Sequence, residues 1–224
     1  MVSRSKMFDI REKDFPDIKS TEINGKRYYQ TPTGESYPSV TTVLSEMSDK
    51  RWLHEWRKKV GEEESKKITA RASGRGTRVH SICERYIRNE EDFCSDKSLL
   101  AQIMFKSIQP YIDAIDIVYG NEFAAYSHKL KTAGRVDCFC DIGGKPLILD
   151  FKTASRQKEE HQIQNYFLQA TTYAMMVEEL IGMHVPKIAI LIAVEEDNPQ
   201  LFVKNTKDYI EQVREVFSRY HNER

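Results

Sequence analysis

Gly134-Arg-Val-Asp137-Cys-Phe-Cys-Asp-Ile-Gly143-Gly-Lys-Pro-Leu-Ile-Leu-Asp150-Phe-Lys152 is the stretch on which both fold and chemistry turn. Arg135–Ile142 reads as one β-strand, Gly143-Gly144 as a turn, and Pro146–Phe151 as a second strand. The continuous apolar run of that second strand places it in the middle of a sheet, covered on both faces. Side chains two apart on a strand share a face, so Asp150 and Lys152 point the same way at its end. If the Gly-Gly turn pairs the two strands, Asp137 and Asp150 converge on one point. Two carboxylates in an apolar sheet repel, and one is driven toward protonation unless a cation lies between them. A hard divalent ion with oxygen ligands resolves this, and Mg²⁺ keeps waters and meets phosphate. Lys152 beside it could position or help deprotonate an attacking water. The plainer reading of an Asp-x-Lys at a strand end is a surface ion pair, and it stays open at this point.

Working outward, Glu122–Lys129 reads as another strand, and Lys187–Val194 and Leu201–Val203 as two more. Residues 159–181 repeat Ile163, Phe167, Ala170, Ala174, Val177 and Ile181 at three- and four-residue steps, which is a helix with one buried stripe. Thr206–Tyr220 is a terminal helix, and Leu99–Val118 an amphipathic one after the acidic loop Glu90–Ser98. Upstream, Val79, Ile82, Cys83 and Tyr86 mark a helix from about Gly76 or Thr77 to Asn89, and a separate charged helix covers Trp52 to about Arg71. Ser39 or Thr41 caps a short helix carrying Val43 and Leu44. Asn24-Gly25 between β-prone pieces predicts a small hairpin, and the first twenty residues read as a polar arm. The fold class is α/β: a central mixed β-sheet flanked by helices, with an N-terminal helical cover and a small β-hairpin. The expected divisions are an arm and hairpin over 1–36 and a single domain over 37–224, with a helical cover over about 40–90 and a sheet core over about 121–205.

Thirty-four Lys+Arg balance 34 Asp+Glu, so any anion-binding surface must be local. Residues 51–80 supply one, with nine Lys/Arg against four Glu, a net +5. The longest apolar runs fall well short of the roughly 20 residues of a membrane span. No secretory signal is visible, and four cysteines in such a chain do not form a disulfide scaffold, so a cytoplasmic setting is expected. His80 and Glu84 lie one helical turn apart beside the buried stripe, where a metal ligand and a helper carboxylate could sit, or an ordinary helix-surface pair. Gln169 and Tyr173 repeat that spacing on the 159–181 helix and could hydrogen-bond a phosphate or a base, or simply pack at the core boundary.

In chain order, Gly76-Thr-Arg-Val-His80, Gly134-Arg-Val-Asp137, Asp150-Phe-Lys152 and Gln169-Ala-Thr-Thr-Tyr173 resemble the four motifs of the PD-(D/E)xK nuclease superfamily, in its RecB-type branch. Within the branch the likeness extends to the mitochondrial genome maintenance exonucleases and related phage exonucleases. It covers Pro38-Ser-Val-Thr-Thr-Val-Leu44, the Trp-containing basic helix, Asp137-Cys138 and Lys152-Thr153-Ala154. The resemblance implies a restriction-endonuclease-like core and a metal-dependent DNA exonuclease preferring single-stranded ends, in DNA processing, repair or recombination, in a bacterium or its phage. By motif, His80, Asp137, Asp150 and the Phe151 carbonyl would hold one or two Mg²⁺ or Mn²⁺ ions, with Glu84 a further candidate. Lys152 would be the catalytic lysine, and Gln169 and Tyr173 would organise the site. The helical cover would meet DNA through Lys58, Lys59, Arg71, Arg75, Arg78 and Trp56, with Trp52, Tyr28 and Tyr29 as further stacking candidates. A structure-specific endonuclease and a non-catalytic DNA-binding module are the alternatives. Cys83, Cys94, Cys138 and Cys140 all precede Asp150, which departs from the iron–sulfur pattern of some RecB-type nucleases, so no cluster is expected. No helicase P-loop occurs, so a motor or recombination partner would be a separate protein; no membrane partner is expected.

Overall fold

The computed structural model describes residues 2–95 and 98–223, with the side chain of Trp52 outside that description. A six-stranded mixed sheet forms its middle layer. Its strands are β1 (Asp9–Ile10), β5 (Ile117–Ser127), β6 (Thr132–Ile142), β7 (Lys145–Ala154), β8 (Lys187–Val194) and β9 (Gln200–Asn205), adjacent in that order. β5, β6 and β7 form an antiparallel meander through short turns. β7 and β8 are parallel, which demands a crossover; α5 (Gln164–Ile181) supplies it. β7 is central, and its alternation decides the two core layers. Ile148 faces α1 (Val40–Met47), α5 and α6 (Ile210–Asn222). Leu147, Leu149 and Phe151 face α3 (Glu62–Ile87) and α4 (Leu99–Ile112).

A second sheet of three strands, β2 (Ser20–Ile23), β3 (Lys26–Gln30) and β4 (Ser36–Pro38), extends the expected hairpin by one strand. Asn24 and Gly25 make its turn, both at positive φ. Ser39 is the cap of α1, its hydroxyl accepting from the Thr42 amide.

Four expectations need correction. The charged helix does not run from Trp52 to Arg71. It is α2 (Arg51–Val60), and it ends at Gly61, whose φ of 89° is open to glycine but strained for other residues. α3 then continues unbroken through Gly74 and Gly76, because Val79, Ile82, Cys83, Tyr86 and Ile87 dock it onto the sheet and α4. α4 stops at Ile112, and Val118 belongs to β5. The polar arm is not free: Phe8 is buried, Arg4 donates to the carbonyls of Tyr86 and Glu90, and β1 pairs in parallel with β5.

Candidate active site

The site forms where β6 and β7 part. Their last registered pair is Cys138 with Leu149; one step further would set Asp137 opposite Asp150. Instead the Asp137 Oδ2 accepts a hydrogen bond from the Phe151 backbone amide at 2.7 Å, and β7 continues with β8 alone. A side chain thus takes over a ladder bond and brings the two acidic positions to one opening. Asp150 is fully buried; its Oδ2 pairs with the Lys152 ammonium, while its Oδ1 has no hydrogen-bond partner. The Lys152 Nζ also lies 5.1 Å from the Tyr166 ring centre on α5.

From the opposite side α3 delivers His80, whose Nδ1 is 3.6 Å from Asp137 Oδ2 and whose ring stands edge-on to Phe151. On α5, Gln169 donates to the Tyr173 hydroxyl at 3.1 Å, and Tyr173 is buried. Gly134 is explained by that tyrosine: a Cβ there would lie 2.6 Å from Tyr173 Cε1. Gly134→Ala should therefore overpack a rigid ring and cost about 1–2 kcal/mol, read as a lower midpoint in thermal or urea unfolding. An unchanged midpoint would show that Tyr173 can yield.

The charges are strongly coupled. Burial pushes the Asp150 carboxyl up to about 6, with Lys152 opposing and Asp137 adding to the rise. Burial also acts on Asp137, yet His80, Lys152 and the Phe151 amide leave it below the usual carboxylate range. Burial works against the His80 and Lys152 cations; Asp137 and Asp150 outweigh it, and both stay above their ordinary values. The group is a knot of opposite charges built around one orphaned carboxylate oxygen.

Among the described residues, His80, Glu122 and Asp137 offer donor atoms that all lie within 4.8 Å of one another. Asp150, expected in that set, stands outside it, its Oδ2 paired with Lys152. Glu122 was not foreseen as a site residue. It falls between the pairs Asn121–Cys138 and Phe123–Val136, hence opposite Asp137, and its φ is 52°. Glu84 is bound by Arg88 at 2.6 Å and lines an open cleft of about 430 Å³ with Gly76, Thr77, His80, Ser81 and Glu122.

The expected DNA contacts divide. Lys58, Lys59, Arg71 and Arg78 are exposed and Trp56 is half-buried. Arg75 is not available at the surface: it is buried, with NH1 on Glu195 at 2.7 Å, where Arg71 joins at 3.2 Å. Tyr29 is buried, so it cannot stack on a base, whereas Tyr28 is half-buried. Trp52's side chain lies outside the described residues. Cys83, Cys138 and Cys140 are buried in the layer between the sheet and α3/α4.

No protein-family model matches the chain. It is similar to mitochondrial genome maintenance exonuclease 1 of Homo sapiens, 27% identical over 175 residues, which are 72% of this chain and 50% of the human protein. The Mus musculus protein of the same name is 25% identical over 130 residues, 55% of this chain and 38% of that protein. The chain thus spans about half the length, or less, of these curated relatives. Among solved structures, a proposed exonuclease from Eubacterium rectale superposes with a TM-score of 0.43 at 15% identity, covering 65% of this chain and 63% of that one.

A local signal for Glu122 does exist: it is a lone acid between Val118-Tyr-Gly-Asn121 and Phe123-Ala-Ala125. Turning that signal into a site residue requires the β5–β6 register, which depends on a turn whose length the sequence leaves open. Among the described residues, no helix is long and apolar enough to cross a membrane.

Proposed function

We propose that this chain is a divalent-metal-dependent nuclease of the PD-(D/E)xK, RecB-like kind, hydrolysing phosphodiester bonds in DNA and preferring single-stranded ends. One observation carries the reading: Asp150 is fully buried with Oδ1 unpartnered, next to a second carboxylate, Asp137, where two strands separate. An uncompensated buried carboxylate is costly, and a cation relieves both the orphaned oxygen and the like-charge repulsion. A hard divalent ion, Mg²⁺ or Mn²⁺, would be held by the carboxylates of Asp137 and Asp150, the Phe151 carbonyl and the His80 imidazole, with Asp150 turning from Lys152 to join the His80–Asp137 pair. When bound, such an ion supplies Lewis acidity at a phosphoryl oxygen and acidifies a coordinated water.

The remaining work falls to this chain's own groups. The Lys152 ammonium, held by Asp150, points a donor at the space where an attacking water or a phosphate oxygen would sit, and it offsets developing negative charge. Gln169 fixes the Tyr173 hydroxyl, and the pair orients the substrate backbone from the α5 side. The domain doing this spans 37–224, with the helices of about 40–90 as its cover. The likeness to exonucleases supports a nuclease reading, and the exposed Lys58, Lys59, Arg71 and Arg78 give the cover a surface for phosphates.

The test is end-labelled single-stranded, double-stranded and circular single-stranded DNA with Mg²⁺, Mn²⁺ or EDTA. Linear single strands should be digested only with metal, and circles should survive. Cleavage in EDTA would sink the metal-dependent reading, and cut circles would sink the requirement for ends. Binding should also depend steeply on salt. Lys58→Ala with Lys59→Ala should weaken single-strand binding and flatten the log–log salt slope by about 0.7 per lost phosphate contact. Fluorescence anisotropy across a salt series measures this, and an unchanged slope would remove α2 from the DNA path.

A further inference from the structure

Tyr166 belongs to none of the four motifs, yet α5 carries it to the same opening. It precedes Gln169 by three residues and Tyr173 by seven, so the three side chains share one stripe of the helix. The Lys152 Nζ sits over its ring, 5.1 Å from the centroid, inside the roughly 6 Å reach of a cation–π contact. The Lys152 side chain is only 18% exposed, so water is a poor substitute for a partner and the attraction of the ring is little screened. Packing against the core would also suit a half-buried tyrosine. It leaves unexplained why an electron-rich face meets the ammonium of the site.

A second observation concerns the carboxylates. Asp150 Oδ2 pairs with Lys152, while Asp137 Oδ2 takes the Phe151 amide and lies near His80. Asp150 and Asp137 are the carboxylates acting most strongly on that ammonium. A divalent ion at the opening draws on both, and Asp150 has to turn from Lys152 to reach it. The ammonium then loses its closest counter-charge just when it has to offset charge on the phosphoryl group. The Tyr166 ring has no part in holding the ion, and α5 fixes its place. We propose that Tyr166 is the positioning residue for Lys152, keeping the ammonium at the opening over its ring while Asp150 turns to the ion. The inference rests on the nuclease reading for what the ammonium does, and on the geometry alone for where it stays.

Two readouts test this, and one needs no turnover. With the full chain isotopically labelled at the lysine Cε, ring current should hold the Lys152 Hε resonances upfield of ordinary lysines, both in EDTA and in saturating Mg²⁺. Tyr166→Leu should return them to the ordinary position, and Lys152→Arg identifies them by their loss. A wild-type Lys152 signal that moves to the ordinary position on adding Mg²⁺ would show the ammonium leaving the ring, which overturns the inference. Digestion of end-labelled single-stranded DNA supplies the second readout. Tyr166→Phe should keep kcat within about twofold, whereas Tyr166→Leu should lose about tenfold in kcat with KM for DNA and Mn²⁺ affinity held. Phenylalanines carrying more and more fluorine keep the shape of the ring but drain its face, so kcat should fall stepwise along that series. A flat series, or a Tyr166→Phe as slow as Tyr166→Leu, would mean that the ring only packs. Should Tyr166→Leu fail to fold, the fluorinated series decides. A wild type that cuts no DNA with metal sinks the nuclease reading instead, and the lysine resonances still judge where the ammonium lies.

Discussion

Asp150→Asn and Lys152→Ala are each expected to lower DNA hydrolysis at least about a hundredfold, Asp150→Asn the more, while the protein stays folded. Removing one preorganised group aimed at developing charge costs about a hundred- to a thousandfold in known cases. Asp150 carries a second burden, because its orphaned oxygen is the donor that calls for the ion. The two variants should fail differently. Lys152→Ala keeps both carboxylates and should keep its metal, so single-turnover rates fall while Mn²⁺ affinity holds. Asp150→Asn should lose affinity and rate together, and excess metal should restore only part of the rate. Rates within about tenfold of wild type in both variants would remove the β6–β7 opening from the chemistry.

Much of the framework was legible because it depends on local pattern. The apolar run Pro146–Phe151 identified a central strand, and Val79, Ile82, Cys83 and Tyr86 identified the docked face of a helix. The errors arose where distant partners decide. Gly61 breaks a helix while Gly74 and Gly76 do not, and composition cannot separate them; only the docking of α3 does. Phe8, Phe15 and Ile18 show no period, so the first twenty residues read as a loose arm, yet Phe15 finds Phe123 more than a hundred residues away. In the site, His80, Asp137, Asp150 and Lys152 come to one opening, as their motif order suggests. Arg75 looked like a surface cation and is half of a buried pair with Glu195. Its neighbours in sequence could not reveal a partner just past the end of β8.

The same buried carboxylate that serves the site should weaken the metal-free protein, and the effect has a definite direction. The Asp150 carboxyl titrates near 6 in the fold against an ordinary value of 3.8. Between those values the folded state holds a proton that the unfolded chain has released, so stability falls as pH rises through the window. Two pKa units correspond to about 3 kcal/mol, fully lost above pH 6 or so. Asp150→Asn cannot ionise. The metal-free variant should therefore lack this loss and melt several degrees above wild type at neutral pH, at about 2–4 °C per kcal/mol for a chain of this size. Lys152 loses its partner in the variant, but Asp137 remains as a counter-charge, so the gain should be trimmed rather than reversed. Saturating Mn²⁺ should invert the order, because the ion stabilises only a protein that binds it tightly. Melting curves of both proteins at pH 4.5 and 7.5, with EDTA or Mn²⁺, resolve all of this. A metal-free Asp150→Asn that melts below wild type at pH 7.5 would mean that the Asp150–Lys152 pair is a net structural asset, and that the opening between β6 and β7 is not held in tension for a cation.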